Sequence, residues 1–134
     1  DRPVIEFKDG TTYKDSQSLS TGQKCTTILP ILLLHSANPL LVDQPEDNLD
    51  NSFVYDNIVS NVRKVQTTRQ LIFVTHNPNI PVLGDAGRVF VLSSTGKEAS
   101  IKATGTVDEC RDDIVTLLEG GKEAFKARQK KYGI

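Results

Sequence analysis

The segment LLVDQPEDNLD, residues 40–50, decides the fold. Its apolar start, Leu40 to Val42, is too short for a helix and predicts a strand buried on both faces, which ends at Asp43. A carboxylate at the carboxyl end of a buried strand lies where ligands bind in open α/β sheets. The segment holds four carboxylates within eight residues, which would repel one another in a plain turn, so a nearby cation is the better explanation.

A second apolar run, Leu71 to Val74, leads through Thr75 into His76. Between the two runs, residues 51–65 carry apolar side chains at close to helical spacing. Helix alternating with buried strand predicts an α/β fold with a largely parallel sheet. A histidine at the end of a buried strand can reach a nucleotide phosphate or hold an attacking water, although a lone histidine is more often structural.

The segment LSTGQ, residues 19–23, lies just before a predicted helix, residues 22–36, in which Pro30 predicts a kink or an early end. Ser20 or Thr21 can cap this helix. Unpaired N–H groups at a helix N-terminus, a serine hydroxyl and a glycine that allows close approach of the backbone together suit a phosphate group. An ordinary N-cap followed by a flexible glycine is the alternative explanation.

The remaining elements complete a single predicted domain over residues 1–134. Residues 4–8 alternate apolar and charged side chains, as in a short strand, and Asp9-Gly10 is a turn signal. Nearer the C-terminus, a strand and its antiparallel partner form a hairpin around Gly96, and two helices follow. The predicted ranges are 88–92 and 99–103 for the hairpin strands, and 108–118 and 122–131 for the helices.

The composition is that of an ordinary globular protein. The 134-residue chain is 37% apolar and 25% charged, which excludes the disordered class. Its 16 basic and 17 acidic residues nearly cancel, so it lacks the electrostatic footprint of a DNA-binding or membrane-binding surface. Cys25 and Cys110 lack the neighbours of a zinc site and are expected to be reduced thiols in the cytoplasm. The longest apolar run, residues 28–34, is too short to span a membrane.

The order of the three motifs is more specific than any one of them. LSTGQ comes first, Asp43 follows twenty positions after Gln23, and His76 follows thirty-three positions later. This order resembles the C-terminal half of ABC-type, SMC-like ATPase heads over residues 17–92, where the motifs are called the signature, Walker B with its D-loop, and the H-loop. The resemblance implies the C-terminal part of a P-loop NTPase sheet with flanking helices.

A narrower resemblance reaches the end of the chain. The segments DQPED at 43–47, THNPNIPVLGD at 75–85 and LEGGKEAF at 118–125 are similar to the ATPase part of PHP-associated, TrlF-like proteins.

In ABC-type ATPases two heads enclose two nucleotides, and the signature of one head contacts the γ-phosphate bound to the other. The resemblance therefore implies ATP and Mg²⁺ as cofactors and a second head as partner. It implies that Asp43 serves Mg²⁺, that Asp50 is the D-loop aspartate at the head interface, and that His76 senses the γ-phosphate and the attacking water. The residues implied to contact ATP from the opposite head are Ser20, Gly22 and Gln23.

One departure from the family concerns Gln44. The residue after the Walker B aspartate is usually a glutamate that polarises water, and an amide cannot act as a general base. Glu46 can supply the carboxylate while Gln44 orients the water, as a glutamine does in some GTPases. Otherwise the head hydrolyses slowly and works as an ATP-gated clamp. The first alternative is favoured, with Glu46, Gln44 and His76 as catalytic residues.

A second departure is the missing P-loop. Gly22 to Thr26 comes nearest to G-x-x-x-x-G-K-[ST], but the first glycine is missing, the lysine is displaced and no strand precedes it. We expect a Walker A segment upstream in the whole protein or on another chain. On its own, the chain is expected to bind ATP weakly and to hydrolyse essentially none. The missing initial Met agrees with a fragment.

Nucleic acid, reached through other domains, is a further expected partner in DNA-related or defence processes. A membrane is not an expected partner.

Two other functions stay open at this point. The chain can be a degenerate, non-hydrolysing interaction module that kept the fold and lost turnover, which the Gln44 position favours. It can also be a Mg²⁺-dependent nuclease that uses the acidic cluster directly. A TOPRIM-like nuclease would need a further carboxylate on a preceding strand, for which Glu6 is the only candidate.

Overall fold

The structure is a computed structural model that describes residues 4–33, 36–47, 49 and 51–133. The chain divides into two compact units, residues 1–75 and 76–134. The expectation of one domain over the whole chain stays a prediction. The first unit contains the segments that resemble the signature and Walker B, and the second unit begins at His76.

The first unit opens with an antiparallel hairpin of β1 (Glu6–Asp9) and β2 (Thr12–Asp15). Gly10 turns the chain with a φ of 61°, a left-handed conformation that glycine adopts without a steric penalty. The predicted first strand and its turn are confirmed. The sequence analysis missed β2 because all four of its side chains are exposed, so no apolar alternation marks it.

Helix α1 (Thr21–Leu32) follows a short 3₁₀ turn and ends earlier than the predicted Ser36. Pro30 lies in its last turn and has no N–H to continue the helical hydrogen bonds, so the expected early end is confirmed. Arg69 links the end of this helix to the segment that follows it. Its guanidinium donates to the carbonyl oxygen of Leu32 at 2.6 Å and to that of Asn38 at 2.7 Å. His35, expected to be structural, lies outside the described residues.

Strands β3 (Leu40–Asp43) and β4 (Leu71–Val74) pair in parallel, with Asp43 opposite Val74. The prediction that both strands are buried on two faces is wrong. Leu41, Ile72 and Val74 are 67%, 46% and 49% exposed, because these alternating positions share one uncovered face of the pair. The largely parallel sheet is likewise reduced to this one parallel pair among the described strands.

The helical segment predicted over residues 51–65 is confirmed in its extent, but its middle is a wider π-helix. It consists of α2 (Asn51–Phe53), the π-helical residues Val54–Val59 and α3 (Ser60–Val65). Its apolar side chains supply most of the buried core of the first unit. The buried residues of this segment are Val54, Ile58, Val59 and Val62.

The second unit starts with a short π-helix, Asn79–Leu83, and then forms the predicted antiparallel hairpin of β5 (Val89–Ser94) and β6 (Ala99–Gly105). The predicted helices follow as α4 (Arg111–Leu118) and α5 (Lys122–Tyr132). One face of the hairpin packs against the start of α4. The buried centre of this core consists of Val91, Cys110 and Ile114.

A surface ion pair links the two C-terminal helices. Lys122 Nζ lies 2.7 Å from Asp112 Oδ1, at the first turns of α5 and α4. The hydrogen bond from Lys122 and its positive charge hold the pKa of Asp112 below its ordinary value of 3.8. The described chain is therefore a mixed α/β fold with the predicted hairpin, and its membership of a P-loop NTPase sheet stays a prediction.

Candidate functional site

The start of α1 is built by a reciprocal pair of hydrogen bonds. The Ser20 hydroxyl accepts from the Gln23 backbone N–H at 3.3 Å, and the Gln23 side-chain oxygen accepts from the Ser20 backbone N–H at 3.2 Å. This capping box fixes the first turn of the helix, and the buried Leu19 fixes the chain before it. Ser20 is exposed, and its hydroxyl keeps a proton that it can donate to a ligand oxygen.

The N-terminus of α1 meets the chemical requirements of a phosphate contact. The helix has twelve residues, so its dipole and its first backbone N–H groups favour an anion at this end. Gly22 and Gln23 are partly exposed there. The same geometry also serves as an ordinary helix cap, which the sequence analysis gave as the alternative.

The loop after β3 begins with a strained residue. Gln44 has a φ of 44°, in the left-handed region that non-glycine residues rarely adopt. It also precedes Pro45, and a residue before proline favours an extended conformation. A residue held in such a region costs about 1–3 kcal/mol and persists only where the surroundings fix it. Here the Gln44 N–H donates to the Val74 carbonyl at 2.8 Å.

A tight turn follows this strained residue. The Asp47 N–H donates to the Gln44 carbonyl at 3.1 Å, which closes a turn around Pro45 and Glu46. Asp43, Gln44 and Asp47 are exposed at this edge, whereas Pro45 and Glu46 are buried. The acidic segment thus separates into exposed aspartates and one buried glutamate.

Glu46 is held by a residue from the neighbouring strand. Its side chain is only 5% exposed, and its Oε1 accepts a hydrogen bond of 2.5 Å from the hydroxyl of Thr75, which directly follows β4. The sequence analysis did not identify Thr75. Its only signal was a hydroxyl residue at the end of a strand, next to a candidate histidine.

The structure brings three predicted residues, Asp43, Gln44 and Glu46, together at the carboxyl edge of β3. Ser20, Gly22 and Gln23 share the start of α1. His76 is exposed and is the first residue of the second unit, and Asp50 lies outside the described residues.

The part of the chain that the structure describes contains no group of three or more His, Cys, Asp and Glu side chains able to hold a metal ion. A Walker B aspartate does not require such a group, because Mg²⁺ beside a nucleotide takes most of its ligands from phosphates and water. A nuclease site would require one. Its candidate Glu6 lies on β1, which pairs with β2 and not with β3.

No helix among the described residues is both long and apolar enough to cross a membrane.

Comparison with known proteins gives the fold a context. No family model matches the chain. A stretch of 79 residues is 32% identical to "ABC transporter G family member 4" of Arabidopsis thaliana. This stretch is 58% of the chain but only 14% of the transporter, so the chain spans a small part of that relative.

Two solved structures are similar in fold. One comes from work on ATP-driven dimerization and DNA-stimulated activation of SMC ATPases, with a TM-score of 0.62 and 16% identity over 84% of this chain and 71% of that chain. The other is an SMC head bound to the C-terminal winged-helix domain of ScpA, with a TM-score of 0.60 and 16% identity over 76% of this chain and 31% of that chain. The chain is thus similar in fold to SMC ATPase heads, which are ABC-type.

Proposed function

We propose that the chain is the signature and Walker B lobe of an ABC-type, SMC-like ATPase head that binds and hydrolyses ATP with Mg²⁺ when two heads pair. The observation that carries the proposal is the parallel pairing of β3 with β4. This pairing presents Asp43 and the following turn at the carboxyl edge of the strands, where nucleotides bind in α/β sheets. The similarity in fold to SMC heads supports the same assignment.

The start of α1 is proposed to contact ATP bound to the opposite head. The exposed Ser20 hydroxyl can donate to a γ-phosphate oxygen, and Gly22 lets the backbone approach it. Gln23 would contribute mainly by fixing Ser20 through the capping box. The second head is proposed to be another copy of the same protein, which would place each signature opposite a nucleotide.

Asp43 is the proposed Mg²⁺ residue. It ends β3 and its side chain is exposed, so one carboxylate oxygen can reach the metal or its water shell. Two further assignments rest on the resemblance alone. Asp50 is proposed to lie at the head interface, and His76 is proposed to contact the γ-phosphate.

Glu46 is the proposed working carboxylate, with Gln44 orienting the water. An amide at position 44 cannot take a proton from water, and Glu46 is the next carboxylate along the turn. Burial supports the assignment, because a carboxylate removed from bulk water interacts more strongly with charges in a closed site. The proposal requires that closure of two heads brings water within reach of the carboxylate.

The P-loop of this site is proposed to come from an upstream segment of the whole protein, because the 134 residues contain no G-x-x-x-x-G-K-[ST] motif. Residues from that segment would bind the β- and γ-phosphates. The membership of the TrlF-like group and an action on nucleic acid through other domains are narrower proposals that rest on sequence resemblance.

Steady-state hydrolysis of MgATP tests the proposal. The whole protein should turn over ATP, the isolated 134-residue chain should not, and E46Q should lower kcat by about 100-fold or more, the usual effect of a lost general base. D47N is the matched control, since it neutralises the exposed neighbouring carboxylate, and should keep most of the activity. A whole protein that binds ATP but turns over none would contradict the ATPase proposal.

The alternative function is an ATP-gated interaction module that does not hydrolyse ATP. The glutamine at position 44 is the observation that favours it. Q44E separates the two functions because it restores the carboxylate that the family usually has. If Glu46 already works as the base, Q44E should change kcat little. If the head is a slow clamp, Q44E should raise turnover markedly.

A further inference from the structure

We propose that Thr75 is a positioning residue that orients the Glu46 carboxylate for ATP hydrolysis. This assignment rests on the proposed function. It starts from one contact between segments far apart in sequence, in which the Thr75 hydroxyl and Glu46 Oε1 are 2.5 Å apart across a separation of 29 residues. The threonine hydroxyl is the donor in this contact, and the carboxylate oxygen accepts.

The parallel pairing of the two strands places these residues together. Gln44 bonds through its backbone N–H to Val74, one residue before Thr75, and the turn that follows then carries Glu46 toward the end of β4. The hydrogen bond is thus supported on one side by a strand end and on the other by a strained turn. Both supports limit the movement of the two side chains.

Fixing this carboxylate matters because a glutamate side chain has three rotatable bonds. A general base must lie within hydrogen-bonding distance of its water, and a displacement of about 1 Å can lower the rate about 100-fold. The hydrogen bond from Thr75 holds Oε1 in place. Because the carboxylate is planar, this also restricts the direction in which Oε2 can point. Thr75 therefore acts through Glu46 and does not itself contact the reacting atoms.

The test compares T75V, which keeps the shape but removes the hydroxyl, with T75S, which keeps the hydroxyl, both in the whole protein. T75V should lower kcat about tenfold or more while KM for ATP changes by less than about twofold. T75S should retain most of the activity. T68V is the matched control, because Thr68 is an exposed residue of the same unit that bonds to a backbone carbonyl.

A second measurement checks that the hydroxyl acts through the carboxylate. In an E46Q background, T75V should cause little further loss of kcat, because the group that it positions can no longer act as a base. Circular dichroism and thermal unfolding of each variant show that the loss is not a failure to fold. An unchanged kcat in T75V, or a full additional loss in the double variant, would overturn the assignment.

The two proposals fail in different ways. An active wild-type protein with an unaffected T75V would overturn only the role of Thr75. A wild-type protein that hydrolyses no ATP would overturn the proposed function and the role of Thr75 together.

Discussion

The start of α1 and the loop after β3 are the two candidate segments of the first unit, and they are built in opposite ways. At the start of α1, both hydrogen bonds of the capping box join residues three positions apart. The loop after β3 relies on β4, through the bonds from Gln44 to Val74 and from Thr75 to Glu46. The first geometry is determined locally, whereas the second depends on the pairing of two distant strands.

The largest expected difference in stability comes from removing the long-range bond. T75V leaves a buried carboxylate short of a donor, and hydrogen bonds to charged groups contribute about 2 kcal/mol to stability. We expect the free energy of unfolding to fall by about that amount, measured by chemical denaturation. T75S should recover most of it. A loss of stability in T75S with none in T75V would show that the methyl group and not the hydroxyl stabilises the loop.

The local segment should respond less. S20A removes the N-cap acceptor of α1, which typically lowers the free energy of unfolding by about 1 kcal/mol. T21A is the matched control, since it removes a neighbouring exposed hydroxyl that is not the cap. It should change stability by less than about 0.5 kcal/mol. A larger loss of stability in S20A than in T75V would contradict the expectation that the local segment responds less.

Relief of strain in the loop after β3 should give a smaller effect of opposite sign. Q44G removes a left-handed penalty of about 1–2 kcal/mol, and the greater freedom of glycine in the unfolded chain offsets about 0.4–1 kcal/mol of it. A net gain in stability of up to about 1.5 kcal/mol follows. D85G is the control, because Asp85 is also left-handed, at a φ of 56°, but aspartate tolerates that region better. A loss of stability in Q44G would contradict this expected net gain.

The smallest expected effect on stability comes from the surface ion pair of Asp112 and Lys122 in the second unit. Because Lys122 holds the pKa of Asp112 below 3.8, this pair stabilises the folded chain above that pH, and the contribution is lost as the pH falls through the lowered pKa. D112N should therefore be slightly less stable than wild type near neutral pH, with a difference that disappears as the pH falls through the lowered pKa of Asp112. E123Q, at an exposed carboxylate, is the control. A difference that grows in acid would contradict the sign.

Much of the fold could be predicted from sequence because its signals are local. The start of α1, the hairpin around Gly96 and the helices 108–118 and 122–131 follow from caps, turns and periodicity over a few residues. Two features could not be predicted in this way. Strand β2 has no buried face, and the π-helical middle of residues 51–65 keeps apolar spacing close to that of an ordinary helix.

The sequence supplies candidate residues for the site but does not supply their environment. The spacing of LSTGQ, Asp43 and His76 along the chain identifies the motifs. It does not indicate the burial of Glu46, which depends on the packing of the turn against β4. The continuous apolar runs predicted two buried faces for β3 and β4, but such runs specify only apolar character. They do not specify how many layers cover the strands in this chain.

The central claim is that the signature of one head completes the ATP site of another, and mixing two inactive variants of the whole protein tests it most directly. G22D places a carboxylate at the signature, and D43N removes the proposed Mg²⁺ residue. In a 1:1 mixture with random pairing, half of the dimers are mixed and each mixed dimer has one intact site. We therefore expect hydrolysis to recover to about a quarter of the wild-type rate. No recovery at any mixing ratio would contradict the account.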